Sequence, residues 1–176
     1  MPKITKLFEG PVSRVYNKTR PILPDAVLER VIVFLRQKNT AQPLDTAIDV
    51  GCGTGLSTAK IAALFSNVIA VDASETQINE ATRENSAVNI HYSLGSCESL
   101  PSNSNSVNAI FCIQSAHWFD LPKFYDECIR VLKPSGVLAI AGYGLIKLKY
   151  PEKPETEQQL NEILHQASWF ILCLVV

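Results

Sequence analysis

The chain has 176 residues, of which 47% are hydrophobic and 19% charged, and its formal net charge at pH 7 is −1. That length suits one domain with a sizeable core, and a composition free of low-complexity tracts is that of a soluble globular protein. With almost no net charge, no basic stripe and no stacking platform, neither nucleic acid nor a membrane is expected as a partner. The five cysteines, Cys52, Cys97, Cys112, Cys128 and Cys173, show no C-x-x-C spacing, and no secretory signal opens the chain. Both features point to reduced thiols and a cytoplasmic location. His91, His117 and His165 are too scattered for paired ligation, so no metal site is expected.

In chain order, residues 1–24 are irregular and proline-marked, ending in "YNKTRPILP". Asp25 stands at an expected N-cap, and Leu28, Val31, Ile32 and Leu35 follow at helical spacing. "DTAIDV" reads as a buried strand, with a helix opening near Thr54 or Gly55. "NVIAVD" reads as a second strand, after which Ser74 and Gln77 carry a capping-box pattern. "NIHYSLG" and "SVNAIFCIQ" supply two more strands. Asp120 and Pro122 start a helix with Tyr125, Cys128, Ile129 and Leu132 on one face, which "KPSG" ends before the strand "VLAIAGY". Leu160, Ile163, Leu164 and Ala167 predict a last helix, and "WFILCLVV" closes the chain as a further strand, a docked helix end or the remnant of an altered reading frame. At eight residues it is too short to span a bilayer. Alternating strands and helices predict a doubly wound, mostly parallel α/β sheet of about five strands.

The chemistry concentrates in "AIDVGCGTGLSTAKIAALF". Gly51, Gly53 and Gly55 between a strand and a helix let a ligand lie against bare backbone, where N–H groups meet negative or polar atoms. Asp72, ending the second strand, can accept both hydroxyls of a ribose. A purely structural βα turn is the plain alternative. A P-loop needs Gly-Lys-Ser/Thr, whereas Leu56 and Ser57 follow Gly55; Leu56 also breaks the dinucleotide fingerprint. Asp49 would repel phosphate and suit an ammonium group. A cofactor with a ribose, an amino-acid end and no phosphate fits best, and S-adenosylmethionine is such a molecule.

"DVGCGTG" resembles the first motif, D-x-G-x-G-x-G, of the class I S-adenosylmethionine-dependent methyltransferases with a Rossmann-like fold. The resemblance lays Asp49, Gly51, Cys52, Gly53 and Gly55 along the methionine part of the cofactor. It places Asp72 and Ala73 at the ribose, and Cys97 and Glu98 of "GSCESLP" beside adenine, with Gln114 completing the cofactor set. "RVLKPSGVLAI" is similar to the helix–turn–strand that ends the family's nucleotide half. "QSAHWFD" and "YNKTRPILP" resemble segments of the type 11, trans-aconitate-methyltransferase-like group, which methylates small acids. There Tyr16, Arg20, His117 and Trp118 would meet the acceptor or cover the cofactor. Trp118 and Phe119 are candidates for a cation–π contact with the sulfonium, core packing being the alternative. His117 is a candidate acid–base group, with a structural role as its alternative.

The division implied is a lid segment at 1–24, a cofactor domain at 25–150, and a C-terminal helix and tail at 151–176. Because the family's sheet has seven strands, the last ones are expected to be missing, leaving the fifth as an open edge prone to self-association. The function expected is methyl transfer to a small molecule, its carboxylate in particular. A cofactor-binding domain without transfer is one alternative and a nicotinamide oxidoreductase another.

Overall fold

The computed structural model describes residues 22–38, 44–143, 153–156, 158–159 and 169–175. Short apolar runs bounded by turn residues become the strands: β1 (Thr46–Val50), β2 (Asn67–Asp72), β3 (Ile90–Leu94), β4 (Val107–Ile113), β5 (Leu132–Tyr143) and β6 (Trp169–Val175). The helices are α1 (Asp25–Lys38), α2 (Thr58–Ala62), α3 (Glu75–Glu84) and α4 (Leu121–Val131), with a 3-10 turn at Ala116–Trp118. The described strands form one sheet in the order β3-β2-β1-β4-β5-β6. All pairings are parallel except β5 with β6, which is antiparallel. The order reverses between β1 and β4, and in an open sheet of this kind the crevice at that point is where ligands bind.

Side chains of a strand alternate between faces, and β1 divides accordingly. Ala47 packs with Leu28, Val31 and Leu35 of α1, Ile61 of α2, and Phe111. Ile48 and Val50 pack on the other face with Phe124, Cys128 and Val131 of α4. Covering on both faces explains why the central strands read as continuous apolar runs rather than alternating ones.

Several expectations are corrected. The fifth strand is not an open edge: "WFILCLV" pairs along it from Val137↔Val175 to Tyr143↔Trp169, so the tail is a sixth strand. Its β-rich run satisfies the free N–H and C=O groups of β5, and the sheet edge moves to β6, where Leu172, Leu174 and Val175 are exposed. Asp25 is not an N-cap. The first helical bond, from Leu28 N, goes to Pro24 O, so Asp25 is one residue inside the helix and its carboxylate pairs with Lys60 at 2.7 Å. Helix α2 begins at Thr58, because the positive φ angles of Gly53 and Gly55 keep the preceding residues out of the helical region. The buried face of α4 is Phe124, Cys128 and Val131, while Ile129 points to solvent and Leu132 already belongs to β5. "KPSG" is an irregular part of β5, where Val107 pairs with Leu132 but Ala109 with Val137. The expected helix through Leu160 and Ala167 and the 1–24 lid fall outside the described residues, apart from residues 22–24.

The face carrying α1 centres on Phe111, fully buried and edge-on to Phe65 at 5.8 Å. Phe111→Ala is expected to destabilise the chain by about 3–5 kcal/mol, whereas Ile129→Ala on the exposed side of α4 changes it by less than about 0.5 kcal/mol. Urea unfolding of the two variants checks the ranking.

Candidate cofactor site

The glycine turn is shaped by its neighbours. Gly51, Gly53 and Gly55 have φ of 70°, 57° and 80°, the left-handed region that costs other residues about 1–2 kcal/mol. A Cβ on Gly51 would collide with the Ser115 side chain, and one on Gly55 with the Tyr92 hydroxyl. At Gly53 a Cβ meets only Gln77 Oε1, at 3.8 Å, so there only the backbone angle favours glycine. Ser115 is itself fixed: its hydroxyl donates to Val50 O at 2.7 Å and lies 3.1 Å from Cys112 Sγ.

The N–H groups of the turn are spent within the protein. Gly51 and Cys52 donate to Val71 O at 2.7 and 3.1 Å, Gly55 to Cys52 O at 3.1 Å, and Gly53 to Asp72 Oδ2 at 2.8 Å. These four N–H groups therefore have internal partners in the ligand-free chain. A turn with its donors used internally is not a phosphate cradle, in agreement with the absence of a P-loop lysine.

Asp72 is clamped at both oxygens, since Oδ1 accepts from Ser74 N at 2.8 Å. This bond displaces half of the predicted capping box: Ser74 Oγ accepts from Gln77 N at 3.4 Å, while Ser74 N goes to Asp72 rather than to Gln77. Each carboxylate oxygen retains a further lone pair, so Asp72 can still accept two hydroxyls. Burial raises its pKa, against the lowering by its backbone bonds.

Asp49 is 1% exposed; its Oδ2 accepts from the Thr58 hydroxyl at 2.6 Å, and its Oδ1 is buried with no hydrogen-bond partner. Burial, with the Thr58 bond opposing it and the charge of Asp72 adding to it, pushes the acid up to about 7. Burial, helped by both carboxylates, also holds the Cys52 thiol well above its usual range, so it is protonated at neutral pH and no nucleophile. Two acids at one turn, each raised, make a site that a cation would relieve.

The remaining candidates stand at the same, carboxyl ends of the parallel strands. Ala73 is exposed directly after Asp72. Cys97 packs partly against the α4-side core, its thiol raised by burial, and Glu98 N donates to Ser96 Oγ at 3.2 Å. Glu127 and Arg130 of α4 pin the segment after them. Glu127 accepts from Leu100 N at 2.6 Å, and Arg130 donates to Ser102 O and Leu100 O at 2.9 and 3.2 Å. Gln114 is turned to β5: its N–H reaches Ala141 O at 2.9 Å and its amide donates to Tyr143 O at 3.0 Å, at a φ of 57°. His117 and Trp118 are exposed, their rings 4.8 Å apart. Phe119 instead packs on Phe124 at 4.9 Å, which is the core-packing alternative. Tyr16 and Arg20 lie outside the described residues. No group of three or more metal-ligating side chains, and no helix long and apolar enough to cross a membrane, occurs among the described residues. A groove of about 810 Å³ between α1 and β6 is lined by Val33, Phe34, Ile171 and Cys173 among others, and by no residue of the glycine turn.

Sequence reasoning missed Thr58, Tyr92 and Ser115. Thr58 carried a weak signal, being a hydroxyl residue just past the glycines. Tyr92 and Ser115 carried none, since only the pairing of strands brings them to the turn.

With this geometry in place, the comparisons with known proteins decide the family. A model described as a methyltransferase domain matches residues 48–140, more than half of the chain. The chain belongs to the methyltransferase domain family. The cofactor of the family, S-adenosyl-L-methionine, suits the raised acids and spent N–H groups described above. A Dictyostelium discoideum protein named as a methyltransferase is 36% identical over 161 residues, covering 92% of this chain and 56% of its own length. A Saccharomyces cerevisiae protein named as an S-adenosylmethionine-dependent methyltransferase is 28% identical over 160 residues, covering 88% and 53%. This methyltransferase-family chain thus spans about half the length of the curated relatives it matches. A solved structure from Anaeromyxobacter dehalogenans, described as a type II methyltransferase, is similar at TM-score 0.61 and 28% identity, covering 84% of this chain and 59% of its own. The fold is shared as well with a structure from Aquifex aeolicus at TM-score 0.66 and 21% identity, covering 96% of this chain and 100% of its own.

Two outcomes are expected. Alanine at Gly51 or Gly55 combines the left-handed strain with overpacking of about 1–3 kcal/mol, so both variants should unfold at lower urea than Gly53→Ala. The second concerns pH. The folded acid of Asp49 lies near 7 against 3.8 ordinarily, so between about pH 4 and 7 the folded state holds a proton that the unfolded state has lost. Its contribution is thus complete below pH 4 and lost as pH rises through 7. In the ligand-free chain, wild type should lose stability over that window while Asp49→Asn loses less, as thermal unfolding at pH 5 and pH 8 will show.

Proposed function

We propose that this chain binds S-adenosyl-L-methionine across the carboxyl ends of β1 and β2 and transfers its methyl group to a small-molecule acceptor, a carboxylic acid in particular. One observation carries the reading: Asp49 and Asp72 keep unused acceptor positions at a turn where Gly51 and Gly55 leave no room for a side chain. The bound cofactor supplies a methyl activated by its sulfonium. Asp72 holds the ribose hydroxyls with lone pairs that Gly53 and Ser74 leave free. Asp49, whose acid burial raises toward neutrality, becomes the charged partner of the ammonium end. Ala73, Cys97 and Glu98 border the nucleoside, and Gln114 braces the following loop against β5 rather than touching the ligand. His117 and Trp118, exposed on that loop, are the residues offered to an acceptor. A carboxylate acceptor is already ionised at neutral pH, so alignment behind the methyl, worth about 7–11 kcal/mol in favourable cases, needs no dedicated base.

Calorimetric titration with S-adenosylmethionine tests the cofactor part. Asp72→Ala should weaken binding by roughly 100-fold or more, the loss of two hydrogen bonds to a charged group at about 1.5–3 kcal/mol each. Unchanged affinity in a folded variant would remove Asp72 from the site. Mass-spectrometric detection of methyl esters across a panel of small acids tests the transfer. Tight binding with no product from any acceptor class would mark the chain as a module that binds without transferring.

A further inference from the structure

Two buried side-chain atoms among the described residues have no hydrogen-bond partner: Asp49 Oδ1 and the Tyr92 hydroxyl. They come from strands two apart, yet the register sets them in one row, Asp49 beside Ala70 and Ala70 beside Tyr92. Parallel neighbours in register project to the same face of the sheet. Between the two, Ala70 contributes only a methyl group, fully buried. Above that gap the phenol presses on the glycine turn, where a Cβ on Gly55 would collide with its hydroxyl and stand 3.1 Å from Cζ. Thr58, which bonds the other oxygen of Asp49, comes from the helix that this same turn leads into.

The two orphans are chemically complementary. Burial raises the phenol to about 12, with the Asn85 and Thr58 side chains near enough to oppose the rise although neither meets hydrogen-bond geometry. At neutral pH the phenol therefore keeps its proton and can donate, whereas the carboxylate can only accept. Leaving both unmatched is costly, since a buried polar atom without a partner loses its hydration for nothing in return. Both side chains rise from the same face of the sheet, the charge of Asp49 is among the causes that raise the phenol, and a water between them would have a polar atom at each end.

We propose that Tyr92 is a positioning residue of the cofactor site, its hydroxyl donating to Asp49 Oδ1 through one bridging water. The bridge fixes the carboxylate beneath the glycine turn and favours its charged form, which is the form that attracts an ammonium group. The same hydroxyl makes glycine obligatory at position 55. The other titratable groups facing Asp49 are Asp72 from the end of β2, Cys52 from the turn and Cys112 from β4, and of these Cys52 also acts on Tyr92.

The test uses the ligand-free full chain, with urea unfolding measured from pH 4.5 to 9 for wild type, Tyr92→Phe, Asp49→Asn and the double variant. Tyr92→Phe keeps the ring and removes only the donor. The expected result is that the midpoint of the pH-dependent loss of stability rises by roughly half a unit to one unit, the share of one hydrogen bond to a carboxylate. In the Asp49→Asn background the same change should act equally at every pH. An unchanged midpoint, or a uniform loss at all pH values in both backgrounds, makes Tyr92 a mere spacer and overturns the proposal. So does the lack of any pH step that Asp49→Asn removes. The link to cofactor affinity rests on the function proposed above; several-fold weaker binding of S-adenosylmethionine by Tyr92→Phe at pH 8 is its expected sign. The unfolding readout needs no cofactor, so failure of binding would fall on the function and an unmoved midpoint on Tyr92.

Discussion

The bonds from Gly53 N and Ser74 N to the two oxygens of Asp72 organise this molecule. One carboxylate joins the loop after β1 to the start of α3, at the end of the strand between them. With that clamp in place the glycine turn cannot swing away from the sheet, and α3 begins where Asp72 leaves it. The clamp also decides which face of the carboxylate remains for a ligand. Backbone donors occupy one side, so on the proposed reading the ribose hydroxyls come from the other. A side chain held by two main-chain groups is oriented before any cofactor arrives, which lowers the ordering cost of binding.

The chemistry of the site follows from what the surrounding fold withholds. Asp49 is buried beside a second acid and receives one hydroxyl donor, too little to keep it fully ionised near neutrality. A site like this is less stable empty than an apolar one would be, and a ligand cation relieves it. Under the proposed function, stability and binding pull Asp49 in opposite directions, a trade expected where a functional group sits in a core. The same reasoning explains why the turn is selective against phosphates. The N–H groups of Gly51, Cys52, Gly53 and Gly55 are already bonded, and the nearest charges are negative.

Support for the walls comes from elements that never touch the turn. Glu127 and Arg130 fasten the segment after Cys97 and Glu98 to α4. Gln114, at positive φ, ties the loop carrying His117 and Trp118 to the end of β5. Strand β5 is in turn completed along its outer side by β6. The sheet thus transmits position from the C-terminal strand to the candidate acceptor loop through ordinary pairing, and the apolar tail gains a role that its hydropathy alone would not suggest.

Much of this was legible in the chain. Apolar runs of β length, the three glycines, and acids at 49 and 72 are local signals, because backbone preference and side-chain chemistry act within a few residues. They set the α/β class and the kind of cofactor. The tail's pairing with β5, the exposed face of Ile129, the inward use of the turn's N–H groups and the arrival of Ser115 and Tyr92 at the glycines were decided by tertiary structure. Each depends on which strand lies beside which and in what register. Gly55 and Tyr92 are far apart in sequence and meet because β3 lies two strands from β1 in register. Local propensity carries no information about that meeting; the register of β1, β2 and β3, set by packing on both faces of the sheet, does.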